Sequence, residues 1–203
     1  TFKKEKYKIV RKAVSKDIVD FVNNYILLKE QVHDTLKDSR YIIPFSDDWG
    51  TKEDRQCWNA YSQYADIAME TLLLNCLPLV EKETNLKLWP TYAYTRVYKK
   101  GHALEKHTDR KSCEVSTTLN LGGDMWPIYL TDKKGKDIEV KLKPGDMLLY
   151  SGCELEHWRN PFKGNYCSQV FLHYNIQSKK NKIRKFDQRT HLGLPKWFKG
   201  KKL

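Results

Sequence analysis

The chain has 203 residues, 40% of them hydrophobic, with a formal net charge of +12. That length and apolar content can build one sizeable core, and no Ser/Gly/Pro-rich linker divides it. No apolar run approaches the ~20 residues of a membrane span, and the opening residues carry no signal-peptide pattern.

In chain order, Val14-Ser15 precedes Ile18, Val19, Phe21, Val22, Ile26 and Leu27 at near-helical spacing. This predicts a first helix with Ser15 capping its exposed amides. A loop containing Pro44, Asp47, Asp48 and Gly50 follows. Thr51-Lys52-Glu53-Asp54 then resembles a capping box, predicting a second helix through Trp58, Tyr61, Tyr64, Ala65, Ala68 and Met69 towards Leu77, ended or kinked by Pro78. Both helices are expected to lay their apolar faces on the outside of a sheet.

From residue 88 the pattern changes to short β-type runs bounded by turn residues. Leu88 to Tyr98 ends in Lys99-Lys100-Gly101, and Cys113 to Leu121 ends in Gly122-Gly123. Trp126 to Leu130, the period-two run Ile138 to Leu142, Met147 to Tyr150 after the turn Pro144-Gly145-Asp146, a run opening at His157, and Tyr166 to Asn175 complete the series. About seven close-spaced strands predict a β-sandwich or barrel.

Within this region lie His107-Thr108-Asp109 and, 48 residues on from Asp109, His157. Residues i and i+2 of an extended segment point the same way, so His107 and Asp109 can reach one ion while Thr108 points away. His157 is the distant partner that would complete a 2-His-1-carboxylate face, a donor set that leaves half an ion's coordination sphere open. His33, His102, His173 and His191 have the ordinary reading of hydrogen-bonded or solvated residues. Tyr92, Tyr94, Arg96 and Tyr98 alternate on one strand face, where they line either a channel or the core.

Taken together, Arg96-Val97-Tyr98-Lys99-Lys100-Gly101, His107-Thr108-Asp109, Thr118-Leu119-Asn120-Leu121, Lys143 to Tyr150 and Glu156-His157-Trp158-Arg159 resemble the prolyl 4-hydroxylase-like 2-oxoglutarate/Fe(II)-dependent dioxygenases. The resemblance implies an all-β core with helical support (α+β): a double-stranded β-helix, the cupin-like jelly roll, with N-terminal helices on the major sheet. It covers residues 88–175 and implies one domain over 1–203, with 1–87 as mainly helical support and 176–203 as a basic C-terminal tail.

It also implies chemistry. His107, Asp109 and His157 would hold Fe(II) and be the catalytic set, with 2-oxoglutarate and O2 as cosubstrates and ascorbate as a candidate reductant. A C–H bond of a peptidyl residue (proline-like) or a small amino-acid-type substrate would be hydroxylated, giving succinate and CO2. Related halogenases have a small residue where this chain has Asp109, so hydroxylation is the expected outcome. The alternatives are a nucleic-acid demethylase using the same iron chemistry and a non-catalytic binding module on the same barrel.

A dianionic cosubstrate needs a cation for its far carboxylate, and a guanidinium is favoured because it donates two parallel bonds. The family usually places this residue about ten positions beyond the distal histidine, where this chain has Tyr166, Cys167 and Ser168. Arg159 and Lys163 are the substitutes, and Arg159 is preferred because it is two residues after His157 and faces the same way. By position in the family, Tyr98 is expected to contact 2-oxoglutarate and Asn120 to stand where a tyrosine often donates to its C5 carboxylate.

Five cysteines without C-x-x-C spacing argue against a disulfide framework or a zinc ribbon and fit a reducing, cytoplasmic compartment. The charge lies at the ends. Residues 1–12 hold six basic and one acidic residue (+5), residues 176–203 hold ten and one (+9), and the body is near neutral. Basic termini, with Trp197 and Phe198 in the second, are expected to give weak polyanion contact, while a peptide or small molecule is the partner of the site and no membrane is involved.

Overall fold

The computed structural model describes residues 1–41 and 48–198, so Pro44 and Asp47 of the expected loop lie outside the described residues. Ten strands form two antiparallel sheets. β1 is Tyr7–Val10, β2 Tyr61–Tyr64, β3 Leu88–Lys99, β4 Leu104–His107 and β5 Val115–Gly123. β6 is Ile128–Thr131, β7 Asp137–Val140, β8 Met147–Tyr150, β9 His157–Arg159 and β10 Tyr166–Ile176. The major sheet runs β1-β8-β5-β10-β3-β2 and the minor sheet β4-β9-β6-β7. The strand-rich region therefore holds eight strands; the extra one, β4, carries the first histidine of H-x-D.

Helix α1 spans Phe2–Glu5, α2 Lys16–Asp38 and α3 Ile67–Thr84. The first predicted helix is α2, whose buried positions Val19, Val22, Ile26, Glu30 and His33 recur every three or four residues. Ser15 takes the N-cap position but its side chain makes no capping bond. Val19, Val22 and Ile26 join Met69, Leu72, Leu73 and Val80 of α3 in one core with Val97, Leu119, Val170 and Leu172 of the major sheet. The helices cover the outside of that sheet as expected.

The second predicted helix does not exist as drawn. Asn59 and Ala65 adopt positive φ (67° and 57°), which a right-handed helix cannot accommodate. Between them Tyr61–Tyr64 pairs with β3 as an edge strand. Thr51 accepts the Glu53 amide at 3.0 Å in a local turn. The helix starts after Asp66, whose Oδ1 accepts the amides of Ala68 and Met69 at 3.0 and 3.2 Å. Pro78 lies inside α3 and does not end it. The carbonyl it deprives of a partner belongs to Leu74, on the half-exposed side.

Among the described residues, both basic ends pack against the body. Phe2 is buried and β1 forms the edge of the major sheet beside β8. After β10, a kinked 3-10 segment, Lys182–Gln188, folds back and is followed by Arg189, which is only 8% exposed. Its guanidinium meets the buried Glu70 carboxylate at 2.5 and 3.1 Å. The Trp197 indole donates to Asp48 at 3.2 Å. Because an orphaned buried charge is costly, Glu70→Ala is expected to lower stability by about 3–5 kcal/mol, read by urea unfolding. A loss below about 1 kcal/mol would show that the pair is an ordinary surface contact.

Candidate metal centre

His107 is the last residue of β4 and His157 the first of β9, and they are cross-strand partners in the minor sheet. Their rings lie 4.3 Å apart. Asp109 follows just beyond β4, and its amide donates to the Gly152 carbonyl at 2.8 Å. Its Oδ1 lies 3.7 Å from His107 Nε2 and 3.4 Å from His157 Nε2. The three ligand atoms are mutually within 4.8 Å.

Each imidazole has its Nδ1 beside the carbonyl two residues earlier: Glu105 for His107 at 2.7 Å, and Leu155 for His157 at 3.0 Å. A carbonyl only accepts, so both rings carry their proton on Nδ1 and present the Nε2 lone pair to the same point. Burial alone would raise the Asp109 carboxyl, but His107 and His157 outweigh it and hold it well below the usual carboxylate range. Burial likewise works against a charged His107, yet Asp109 and the Glu105 carbonyl leave its pKa raised. Two nitrogen donors and one ionised oxygen donor fit a divalent transition metal.

The centre opens into a cavity of about 290 Å³, whose walls include Tyr92, Tyr94, Arg96 and Arg110. The alternating face of β3 thus lines it through Tyr92, Tyr94 and Arg96. Arg96 is locked: Nη2 reaches Asp54 at 2.6 Å and Gln56 at 3.1 Å, Nε donates to Ser62, and Nη1 donates to Tyr98. Arg110 is held by Asp187 at 2.6 and 2.7 Å, so the C-terminal segment forms part of the cavity's frame.

Gln56 sits on the irregular segment that replaces the expected helix, with its Nε2 2.8 Å from His107 Nε2. Its Oε1 accepts from Arg96, so an N–H of Gln56 points at the lone pair a metal would take. Gln56→Ala is therefore expected to tighten Mn(II) or Co(II) binding about threefold to tenfold, by calorimetry. Equal or weaker binding would show that Gln56 does not compete for that nitrogen.

Arg159 points inward two residues after His157, opposite Leu104, which lines the cavity. It is 2% exposed, stacks over Trp126 at 4.9 Å and donates through Nη1 to the Trp126 carbonyl. Among the described residues neither Nε nor Nη2 has a partner. Burial lowers its pKa, against weaker support from Cys167, Tyr98 and Tyr150. Cys167, the tenth residue beyond His157, lies near enough on β10 to act electrostatically on the Arg159 guanidinium. Lys163 is exposed.

Tyr98 is fully buried and accepts from Arg96. Asn120 has other work: its amide donates to the Leu142 carbonyl at 2.6 Å and accepts the Gly122 amide at 3.1 Å. This ties down the β7–β8 connection and gives Asn120 no place in the cavity wall. Thr118, two positions earlier on the same face, is buried with its hydroxyl near Tyr150. His33, His102 and His191 bond locally, to Asp34, the Lys99 amide and the Leu192 carbonyl. His173 instead comes into the cavity wall, where burial pushes its pKa down to about 4. With Asp109 and Cys113 it forms a second trio of donor atoms within 4.8 Å.

No protein-family model matches the sequence, and no curated protein matches it. Solved structures do. A Pseudomonas putida prolyl-4-hydroxylase superposes with a TM-score of 0.64 at 12% identity, over 87% of this chain and 96% of that one. The chain has the fold of the 2-oxoglutarate/Fe(II) oxygenases. HygX from Streptomyces hygroscopicus, solved with nickel and 2-oxoglutarate bound, gives a TM-score of 0.59 at 12% identity over 87% and 85%. The collagen prolyl hydroxylase of Paramecium bursaria Chlorella virus-1 gives 0.55 at 12% over 85% and 97%. The oxygenase fold here is the double-stranded β-helix expected from the motifs, built as two facing sheets. Among the described residues no helix is long and apolar enough to cross a membrane.

Proposed function

We propose that the chain is an Fe(II)- and 2-oxoglutarate-dependent dioxygenase that hydroxylates a C–H bond of a peptidyl residue, proline-like, or of a small amino-acid-type molecule. The observation that carries this reading is the pairing of two features in one fold. Two imidazoles with Nε2 turned to one carboxylate oxygen stand near a buried arginine whose Nε and Nη2 have no partner among the described residues. When bound, iron with 2-oxoglutarate and O2 supplies a one-oxygen oxidation of a C–H bond, with 2-oxoglutarate leaving as succinate and CO2.

The protein's own groups divide the remaining work. His107, Asp109 and His157 hold the metal. Arg159 receives the far carboxylate of 2-oxoglutarate, with the buried Tyr98 and Thr118 hydroxyls as further polar groups. Tyr92, Tyr94 and Arg110 form the wall that meets the substrate. Prolyl hydroxylation is the activity named for two of the similar structures, which favours a peptide substrate. Five free cysteines and an Fe(II) centre suit a reducing, cytoplasmic compartment.

The test is Fe(II)-dependent conversion of 2-oxoglutarate to succinate, followed by incubation with proline-containing peptides and free amino acids and detection of one added oxygen by mass. Succinate formation with oxygen gain on a peptide supports the reading. No succinate under any condition in folded protein would remove it.

A further inference from the structure

We infer that Ser116 and His173 are positioning residues that restrict Asp109 to a single metal-facing oxygen; the inference rests on the oxygenase reading above. Ser116 Oγ lies 2.6 Å from Asp109 Oδ2, and His173 Nδ1 lies 3.0 Å from the same hydroxyl. A hydroxyl has one proton, and an ionised carboxylate can only accept, so Ser116 donates to Asp109. Its oxygen then accepts, which puts the His173 proton on Nδ1. The register makes this chain of bonds: β5 and β10 set Ser116 and His173 directly opposite each other. Both residues are buried, and the His173 ring is held from its other side by Tyr92 at 4.5 Å.

Gly152 completes the cradle. A Cβ there would lie 2.3 Å from Asp109 Oδ2 and 2.4 Å from Ser116 Oγ, closer than any real contact. The space that holds Oδ2 exists only because residue 152 has no side chain, while the Gly152 carbonyl fixes the Asp109 amide. Oδ2 is therefore committed to Ser116 and Oδ1 alone faces the two Nε2 atoms.

The consequence concerns the number of open positions. Three single-atom donors would leave a six-coordinate ion three positions, enough for a chelating keto acid and O2. A carboxylate free to turn both oxygens to the ion would take one of them. Ser116 and His173 thus favour keto-acid uptake more than metal uptake, and this split separates them from residues that only stabilise the fold.

The experiment uses the full chain and compares wild type with Ser116→Ala, His173→Leu and His173→Asn. Metal affinity is measured with Mn(II), and 2-oxoglutarate affinity is measured anaerobically with Fe(II) by the visible charge-transfer band. Ser116→Ala is expected to bind Mn(II) within about threefold of wild type or tighter, yet lose about tenfold or more in 2-oxoglutarate affinity. His173→Leu should show the same split, at about threefold or more. His173→Asn, whose amide can donate from the Nδ1 position, should restore it. If Ser116→Ala does not fold, the Leu and Asn pair at 173 carries the test. Parallel losses of metal and keto acid, an unchanged 2-oxoglutarate affinity, or no difference between Leu and Asn would overturn the inference. A wild type that binds Mn(II) but no 2-oxoglutarate would instead remove the oxygenase reading, and the inference with it.

Discussion

Arg159→Met is expected to weaken 2-oxoglutarate binding about 100-fold while leaving the ligand-free protein within about 1 kcal/mol of wild-type stability, or above it. The two halves follow from one observation. A fully buried guanidinium has spent one of its nitrogens on the Trp126 carbonyl and left Nε and Nη2 without partners among the described residues. Removing one member of a buried ion pair costs about 3–5 kcal/mol because the other charge is stranded, but Arg159 strands no charge when it leaves, only the Trp126 carbonyl. The desolvation cost it removes offsets the lost bond to Trp126. With the diacid present the balance reverses, since a side-on carboxylate would accept one N–H from each of Nε and Nη2. Calorimetry for 2-oxoglutarate and urea unfolding of the ligand-free protein measure the two halves. A large stability loss with unchanged 2-oxoglutarate affinity would make Arg159 a structural residue and leave the cosubstrate's cation unassigned.

Asp109→Ala, and separately His107→Ala, is expected to abolish succinate production and to weaken metal binding by more than about 100-fold, the upper end of what losing a mere supporting contact costs. The carboxylate is the only ionised donor of the trio, and its Oδ1 is the atom towards which both imidazoles converge. Without it the ion is left with two neutral nitrogens, and its charge is uncompensated in a buried site. Metal affinity by calorimetry and succinate by mass spectrometry provide the readouts. Metal binding retained within about tenfold in Asp109→Ala would place the ion elsewhere, with the trio of Asp109, Cys113 and His173 excluded by the same result.

How much of this was legible in the sequence depends on the range of the contacts. Short β-prone runs bounded by turn residues located the strands from Leu88 to Asn175, and side-chain parity put His107 with Asp109 and His157 with Arg159. These are local rules, and the structure obeys them. The four-residue strands β1, β2 and β4 were not read from the sequence, although β6, β7 and β8 of the same length were, because those three lie within apolar runs set off by turn residues. In β2, moreover, Tyr61 and Tyr64 also fit the three-residue spacing of a helix, and only the positive φ of Asn59 and Ala65 excludes it. The Asn120 bond to the Leu142 carbonyl was not legible, because that partner is 22 residues away on a turn whose path the sequence does not state. Ser116, His173 and Gln56 were not assigned for the same reason: cross-strand register and an irregular loop bring them to the metal ligands. The basic ends looked like tails because charge was counted without pairing, whereas Arg189 is buried against Glu70 across 119 residues of sequence.

Anaerobic addition of Fe(II) and 2-oxoglutarate to the intact chain, followed by visible absorption, tests the central claim most directly. The arrangement of His107, Asp109 and His157 beside Arg159 predicts a weak metal-to-ligand charge-transfer band that needs both additions, persists in Lys163→Ala and vanishes in Asp109→Ala. A folded wild-type protein that gives no such band at saturating Fe(II) and 2-oxoglutarate would contradict the account.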